Sequence, residues 1–397
     1  MGMPVLVTRF RQLRLARMCA VVTVVTALLL TSCGGSGPSS PNPSTPPLPT
    51  ATSSQGATPA ASTMPVTTTR SLNLTAAGAT FPFVLYSKWV SEYNKLNPGI
   101  KISYNSIGSG GGKQQFSAQT VDFGASDSVM TDEELAGAKG RAVLQLPATL
   151  GAVVLTYHLP GIGKGLRLDP QTITDIVFGR VTKWNDPKIK ALNPDLNLPN
   201  LDIAFVYRSD GSGTNNIFTD YLSAISAEWK GKVGAGTSVK WPVGIGAKGN
   251  EGVAGQVKQL PGSLGYVELA YAVQNKLGYA FIKNKAGNYI EPSFDSVSEA
   301  AAGAVIPDDF RAKIVDAAGS GSYPISSFTW LLVYKDNPNS ARAQEIARFL
   351  WWGVHQGQAF CKDLYYAPLP TSLVQNEEQA ILALTSSGQP LFQGGRQ

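Results

Sequence analysis

Four short stretches of this 397-residue chain join small polar side chains to glycine in a way that suits the capture of an oxyanion. They are Ala79-Thr80-Phe81-Pro82, Gly108-Ser109-Gly110-Gly111-Gly112-Lys113, Asp122-Phe123-Gly124-Ala125-Ser126-Asp127, and Arg208-Ser209-Asp210-Gly211-Ser212-Gly213-Thr214. Turns of this kind that open a helix present unpaired backbone N–H groups at the positive end of the helix dipole, which is where anions bind. Pro82 is placed to start a helix, with Thr80 near its cap. Glycine at 108 and 110–112 lets the backbone approach a ligand and form a nest of donors. Arg208 adds a planar fork of N–H groups, and Ser212, Gly213 and Thr214 add hydroxyls and amides within seven residues of it. Each stretch also has a plain structural reading, as a helix cap, a surface loop or an Asx turn.

The elements that would position these turns follow an α/β pattern. Apolar runs at 101–104, 151–157, 201–207 and 330–334 predict strands, and segments 82–96, 214–229, 251–260 and 340–356 predict helices. In the first helix Tyr86, Trp89, Val90 and Tyr93 share one face. From residue 70 onward about 330 residues remain, more than one core comfortably holds, so two lobes are expected. Gly244-Ile245-Gly246-Ala247-Lys248-Gly249 matches G-x-G-x-x-G but follows Trp-Pro. With no dinucleotide-type βαβ unit evident around it, it is set aside. His158 and His355 lie in no metal-ligand spacing, and no metal or cofactor is expected.

The N-terminus predicts export. Arg9, Arg11, Arg14 and Arg17 precede an apolar stretch from Met18 to Leu30. As a helix this stretch reaches about 20 Å, short of a bilayer core of ~30 Å, so residues 1–32 read as a cleaved signal segment. Leu30-Thr31-Ser32-Cys33 resembles a bacterial lipobox, with Cys33 the lipidated first residue of the mature chain. Removing residues 1–32 takes four arginines and no acid, so the net charge falls from +6 to +2, too little basic excess for a nucleic-acid binder. Only Cys361 then remains free, so no intramolecular disulfide is expected. Residues 34–69 hold eight prolines and no charged side chain, the composition of a disordered tether.

Taken in order, these segments resemble the phosphate-binding protein of the high-affinity bacterial phosphate ABC transporter, from Leu72 to about Thr371. Gly78-Ala79-Thr80-Phe81-Pro82 matches the family's opening motif. Gly108-Ser109, Val121–Asp127, Ile173–Asp186, Asp210–Thr214, Lys240–Gly244 and Gly262–Ala272 follow in register. The resemblance implies a type II periplasmic-binding-protein fold, two lobes joined by two crossover strands, with phosphate in the cleft. Lobe I would comprise 70–150 and 326–397, and lobe II 151–325, with crossings near 148–153 and 322–328.

Carried onto this chain, the family's contacts fall on Ala79, Thr80, Phe81, Ser109, Asp127, Arg208, Ser212, Gly213 and Thr214, with Asp210 orienting Arg208. Asp127 would accept a proton that phosphate carries and sulfate lacks. The implied partners are inorganic phosphate, the permease and ATPase subunits of the importer, and the membrane through lipid on Cys33. The protein would sit on the extracytoplasmic face and would not be an enzyme. Three other readings compete. They are a sulfate or molybdate receptor, a secreted phosphatase using Ser109 or Ser212, and a surface adhesin.

Overall fold

The computed structural model describes residues 71–392; the signal segment, Cys33 and the tether lie outside them. The main sheet follows one path. In order it passes Ile100–Ser106, Leu72–Gly78, Phe123–Ser126, Ser326–Tyr334, Val143–Tyr157, Ser263–Glu268, Ala204–Arg208 and Ile245–Ala247. At the first end the strands are parallel, and at the second end Ser263–Glu268, Ala204–Arg208 and Ile245–Ala247 are again parallel. Helices fill the connections, as parallel pairing requires.

The long strand Val143–Tyr157 joins the two ends. It pairs antiparallel with Ser326–Tyr334 as far as Ala152 and with Ser263–Glu268 from Val153 onward. Fourteen of its fifteen residues are buried, as are all nine of Ser326–Tyr334, which suits strands covered on both faces. The change of partner lies inside the expected first crossing, and Ser326 inside the second. Pro147 sits in this central strand, where it has no N–H to give the ladder. The register shifts there, between Thr329 and Trp330, which is how a sheet accommodates such a residue.

The expected helices appear as Phe83–Leu96, Gly213–Ile225, Gly249–Gln259 and Ser340–Val354. The expected helix at 214–229 is broken: Ser226 caps a separate turn, Ala227–Lys232, through a bond from the Trp229 N–H. On the first helix Tyr86, Trp89 and Tyr93 are buried, and Trp89 and Tyr93 pack edge-on against Phe349 and Trp352. Cys361 is a free buried thiol, and burial pushes its pKa up to about 12.

Candidate functional site

Four helix N-termini meet where the two ends of the sheet path face each other. They belong to Phe83–Leu96, Ser109–Ser117, Gly213–Ile225 and Gly249–Gln259. The first comes after Ala79-Thr80-Phe81, whose three carbonyls each accept a tyrosine hydroxyl. Tyr104 donates to Ala79 at 2.7 Å, Tyr271 to Thr80 at 2.6 Å and Tyr366 to Phe81 at 2.7 Å. With the carbonyls held outward, the Thr80 and Phe81 N–H groups meet no acceptor among the described residues.

The second helix brings Ser109. Its hydroxyl accepts from the Asp127 N–H at 3.0 Å and lies 3.3 Å from Asp127 Oδ2, to which it donates. Asp127 ends the strand Phe123–Ser126, is 2% exposed, and accepts from the Thr329 hydroxyl at 2.8 Å. Thr329 stands beside the register shift at Pro147. Burial pushes the Asp127 carboxyl up to about 7. The bonds from Thr329 and Ser109 and the positive charge of Arg208 oppose that rise.

From the other side comes Arg208, at the end of Ala204–Arg208, with a side chain only 1% exposed. Its Nε and Nη2 fork onto Asp210 at 2.8 and 2.6 Å, and its Nη1 is buried without a partner among the described residues. Asp210 also accepts the Gly249 N–H at 3.1 Å. Burial works against its ionisation, but the Arg208 fork outweighs it and holds the carboxyl below the ordinary range. The Arg208 N–H donates to the Tyr266 hydroxyl, which donates in turn to Asn215. Tyr266 packs with Phe205, Phe218 and Trp241. The Lys240–Gly244 and Gly262–Ala272 motifs thus build the wall behind the arginine.

The nine expected contact residues and Asp210 therefore come together, and the two sides touch. The Gly110 N–H donates to Gly211 O at 2.8 Å. Gly108 has φ of 90°, and a Cβ there would lie 2.5 Å from Asp210 Oδ2. A Cβ on Gly213 would lie 2.4 Å from Ser109 Oγ and 2.6 Å from Asp127 Oδ2, in the middle of the site. We expect Gly213→Ala to weaken anion binding about a hundredfold or more, since neither neighbour can move without losing its bonds. Its ligand-free melting temperature, read by calorimetry, should fall as well, because the overlap with Ser109 and Asp127 has to be relieved without ligand too.

A family model described as the PBP superfamily domain matches residues 52–354. The phosphate-binding protein PstS of Xylella fastidiosa (strain Temecula1) is 45% identical over 313 residues, covering 78% of this chain and 85% of the relative. This chain belongs to the PstS phosphate-binding protein family. The PstS of Methanocaldococcus jannaschii is 40% identical over 306 residues, 71% of this chain and 78% of its own. Among solved structures, a high affinity periplasmic phosphate-binding protein bound with phosphate overlays with TM-score 0.64. It is 22% identical and covers 78% of this chain and 93% of that one. The fold expected of a PstS family member, two lobes on two crossover strands, is the fold found.

Two polar residues that bond to these expected contacts escape sequence reading. Thr329 lies in an apolar strand and looks like core. Asn250 lies just past the G-x-G-x-x-G stretch that was set aside. Ala204–Arg208 and Ile245–Ala247 are parallel strands with the Gly213–Ile225 helix between them, so the motif lies on the last strand of a βαβ unit and not at the first strand-to-helix turn that a dinucleotide site uses. The end of the motif delivers the Gly249 N–H to Asp210 and the Asn250 amide to Thr80 and Thr214.

Proposed function

We propose that this protein binds inorganic phosphate outside the membrane and delivers it to an ABC phosphate importer. The observation that carries this reading is the buried Arg208 Nη1, without a partner among the described residues where four helix N-termini converge. Phosphate would take hydrogen bonds from Thr80, Phe81, Ser109, Arg208, Ser212, Gly213 and Thr214, with Ala79 alongside and Asp210 orienting the arginine. Asp127 would accept the phosphate's own proton and so exclude sulfate. Lobe I would comprise 70–150 and 326–397, lobe II 151–325, closing about the two crossovers.

The role is binding, which is what the relatives' names give, and the serines support it. Ser212 Oγ caps its helix by accepting the Asn215 N–H at 3.0 Å, and Ser109 is engaged with Asp127. Neither touches a histidine; His355 bonds Trp351 O and Glu378 instead. Export through residues 1–32, lipid on Cys33 and a tether over 34–69 would place the protein on the extracytoplasmic face beside the permease and ATPase subunits.

The test is calorimetric titration of the protein, stripped of carried-over phosphate, with phosphate and then sulfate at neutral pH. The expected result is one phosphate site per chain at micromolar or tighter affinity, about −8 kcal/mol or better, with no heat from sulfate. Equal binding of both would make it a general oxyanion receptor, and heat from neither would leave only the fold shared with the family.

A further inference from the structure

Asn250 touches the site only through other residues, yet it is fully buried and every polar atom of its amide is engaged. Its Oδ1 accepts the Glu268 backbone N–H at 3.0 Å. A backbone N–H can only donate, so the atom facing it is the oxygen, and the amide nitrogen must point the other way. There Nδ2 meets two hydroxyls, Thr80 Oγ1 at 2.8 Å and Thr214 Oγ1 at 3.0 Å. The Asn250 backbone N–H reaches Thr80 Oγ1 as well, at 3.3 Å. The NH2 group of an asparagine has two hydrogens and no acceptor capacity, so both contacts have one polarity: the nitrogen donates and the hydroxyl oxygens accept.

A hydroxyl is a rotor with one hydrogen and two lone pairs. Thr80 Oγ1 uses both lone pairs on Asn250, so its hydrogen must turn away from Asn250. Thr214 Oγ1, having accepted, turns its hydrogen away too. Neither hydroxyl donates to any acceptor among the described residues. Both are buried in the ring of helix N-termini around Arg208. Thr80 precedes the Phe83–Leu96 helix, whereas Thr214 and Asn250 come from the opposite end of the sheet path.

We propose that Asn250 is a positioning residue that fixes the Thr80 and Thr214 hydroxyls as donors toward the bound oxyanion and links them across the two sides of the cleft. It acts on binding through the hydroxyls and not by touching the ligand. This rests on the phosphate-binding reading above. Without Asn250 each hydroxyl can spend its hydrogen elsewhere, and the pair is no longer organised before the anion arrives.

The test is a double-mutant cycle on the whole protein. Wild type, Asn250→Ala, Thr80→Val and the double variant are each titrated with radiolabelled phosphate by equilibrium dialysis, which reads into the millimolar range. Asn250→Ala should weaken phosphate about ten- to a hundredfold, the range of one or two charge-assisted hydrogen bonds. In the Thr80→Val background the same change should cost at least fivefold less, because one of its two targets is gone. Asn250→Ser, which keeps one donor and a polar side chain, serves as the second variant should Asn250→Ala fold poorly, and should fall between wild type and alanine. A full, additive loss in the Thr80→Val background would overturn the proposal, and so would unchanged affinity in both Asn250 variants. If wild type itself binds no phosphate, it is the functional reading that fails, and the wild-type arm alone shows that.

Discussion

Arg208→Met is expected to abolish phosphate binding for practical purposes, with a loss of about a thousandfold or more. The side chain is 1% exposed, so any bond its free Nη1 makes to an anion is made out of reach of competing water. Truncating one partner of a buried, hydrogen-bonded charge pair costs about 2–5 kcal/mol, and at the upper end this alone exceeds a factor of a thousand. The same change leaves Asp210 as a half-buried carboxylate without its counter-charge, facing the place where another anion must sit. Arg208→Lys should fare better than methionine but worse than arginine by about ten- to a hundredfold. An ammonium can pair with Asp210 or point at the ligand, but it has no planar fork with which to do both. The control is Arg208→Met with Asp210→Asn, which removes both charges. That double variant should regain most of the ligand-free melting temperature lost by Arg208→Met while still failing to bind. Isothermal calorimetry and thermal melts check both halves, and phosphate affinity within tenfold of wild type in Arg208→Met would remove the arginine from the site.

The contrast between Arg208 and Thr329 explains how much of this site can be read from sequence. Arg208, Asp210 and Ser212–Thr214 are neighbours in the chain, so glycine, hydroxyl and charge within a few residues already describe one turn with one chemistry. The same holds for Ala79–Phe81 and for Gly108-Ser109. Helix starts were legible for a local reason, since caps and the first turn are set by residues three or four apart. Thr329 and Asn250 carry no such local mark. Thr329 sits in an apolar strand, and its bond to Asp127 joins residues 202 apart in the chain. Asn250 bonds Thr80 at a separation of 170 residues, across two sides of a cleft the sequence does not display. The tyrosines behind Ala79, Thr80 and Phe81 are scattered from 104 to 366 and resemble ordinary core aromatics until their hydroxyls are traced. The break at Ser226 failed to register for the opposite reason. The apolar pattern continues past it, and a cap bond from Trp229 decided the matter.

Asp127 is the residue through which pH should control selectivity. Its carboxyl is pushed up to about 7, chiefly by burial, whereas an exposed aspartate titrates near ~4. Between those values the unfolded chain has released this proton and the folded, ligand-free chain has kept it. Stability from this group therefore falls as pH rises through that window, and the full loss, about 4 kcal/mol, is reached above it. Asp127→Asn removes the penalty. The ligand-free variant should melt several degrees above wild type at pH 8 and no higher than wild type at pH 4.

On the proposed reading the same titration would set what the site accepts. At pH 8 the ionised carboxylate can only accept, so it would match a proton on phosphate and be left unpaired against sulfate. At pH 5.5 Asp127 is itself protonated and offers an O–H, which sulfate can take. Wild-type affinity for sulfate should thus rise by about tenfold or more between pH 8 and pH 5.5. Asparagine carries an N–H donor at every pH, so Asp127→Asn should bind sulfate about tenfold tighter than wild type at pH 8, with little dependence on pH. Its phosphate affinity should drop only about tenfold, since Arg208 and the helix N-termini remain in place. Sulfate titrations of both proteins at the two pH values decide the point. If Asp127→Asn excludes sulfate as strictly as wild type does, the discrimination comes from the shape of the ring of amides, and the proton at Asp127 has no part in it.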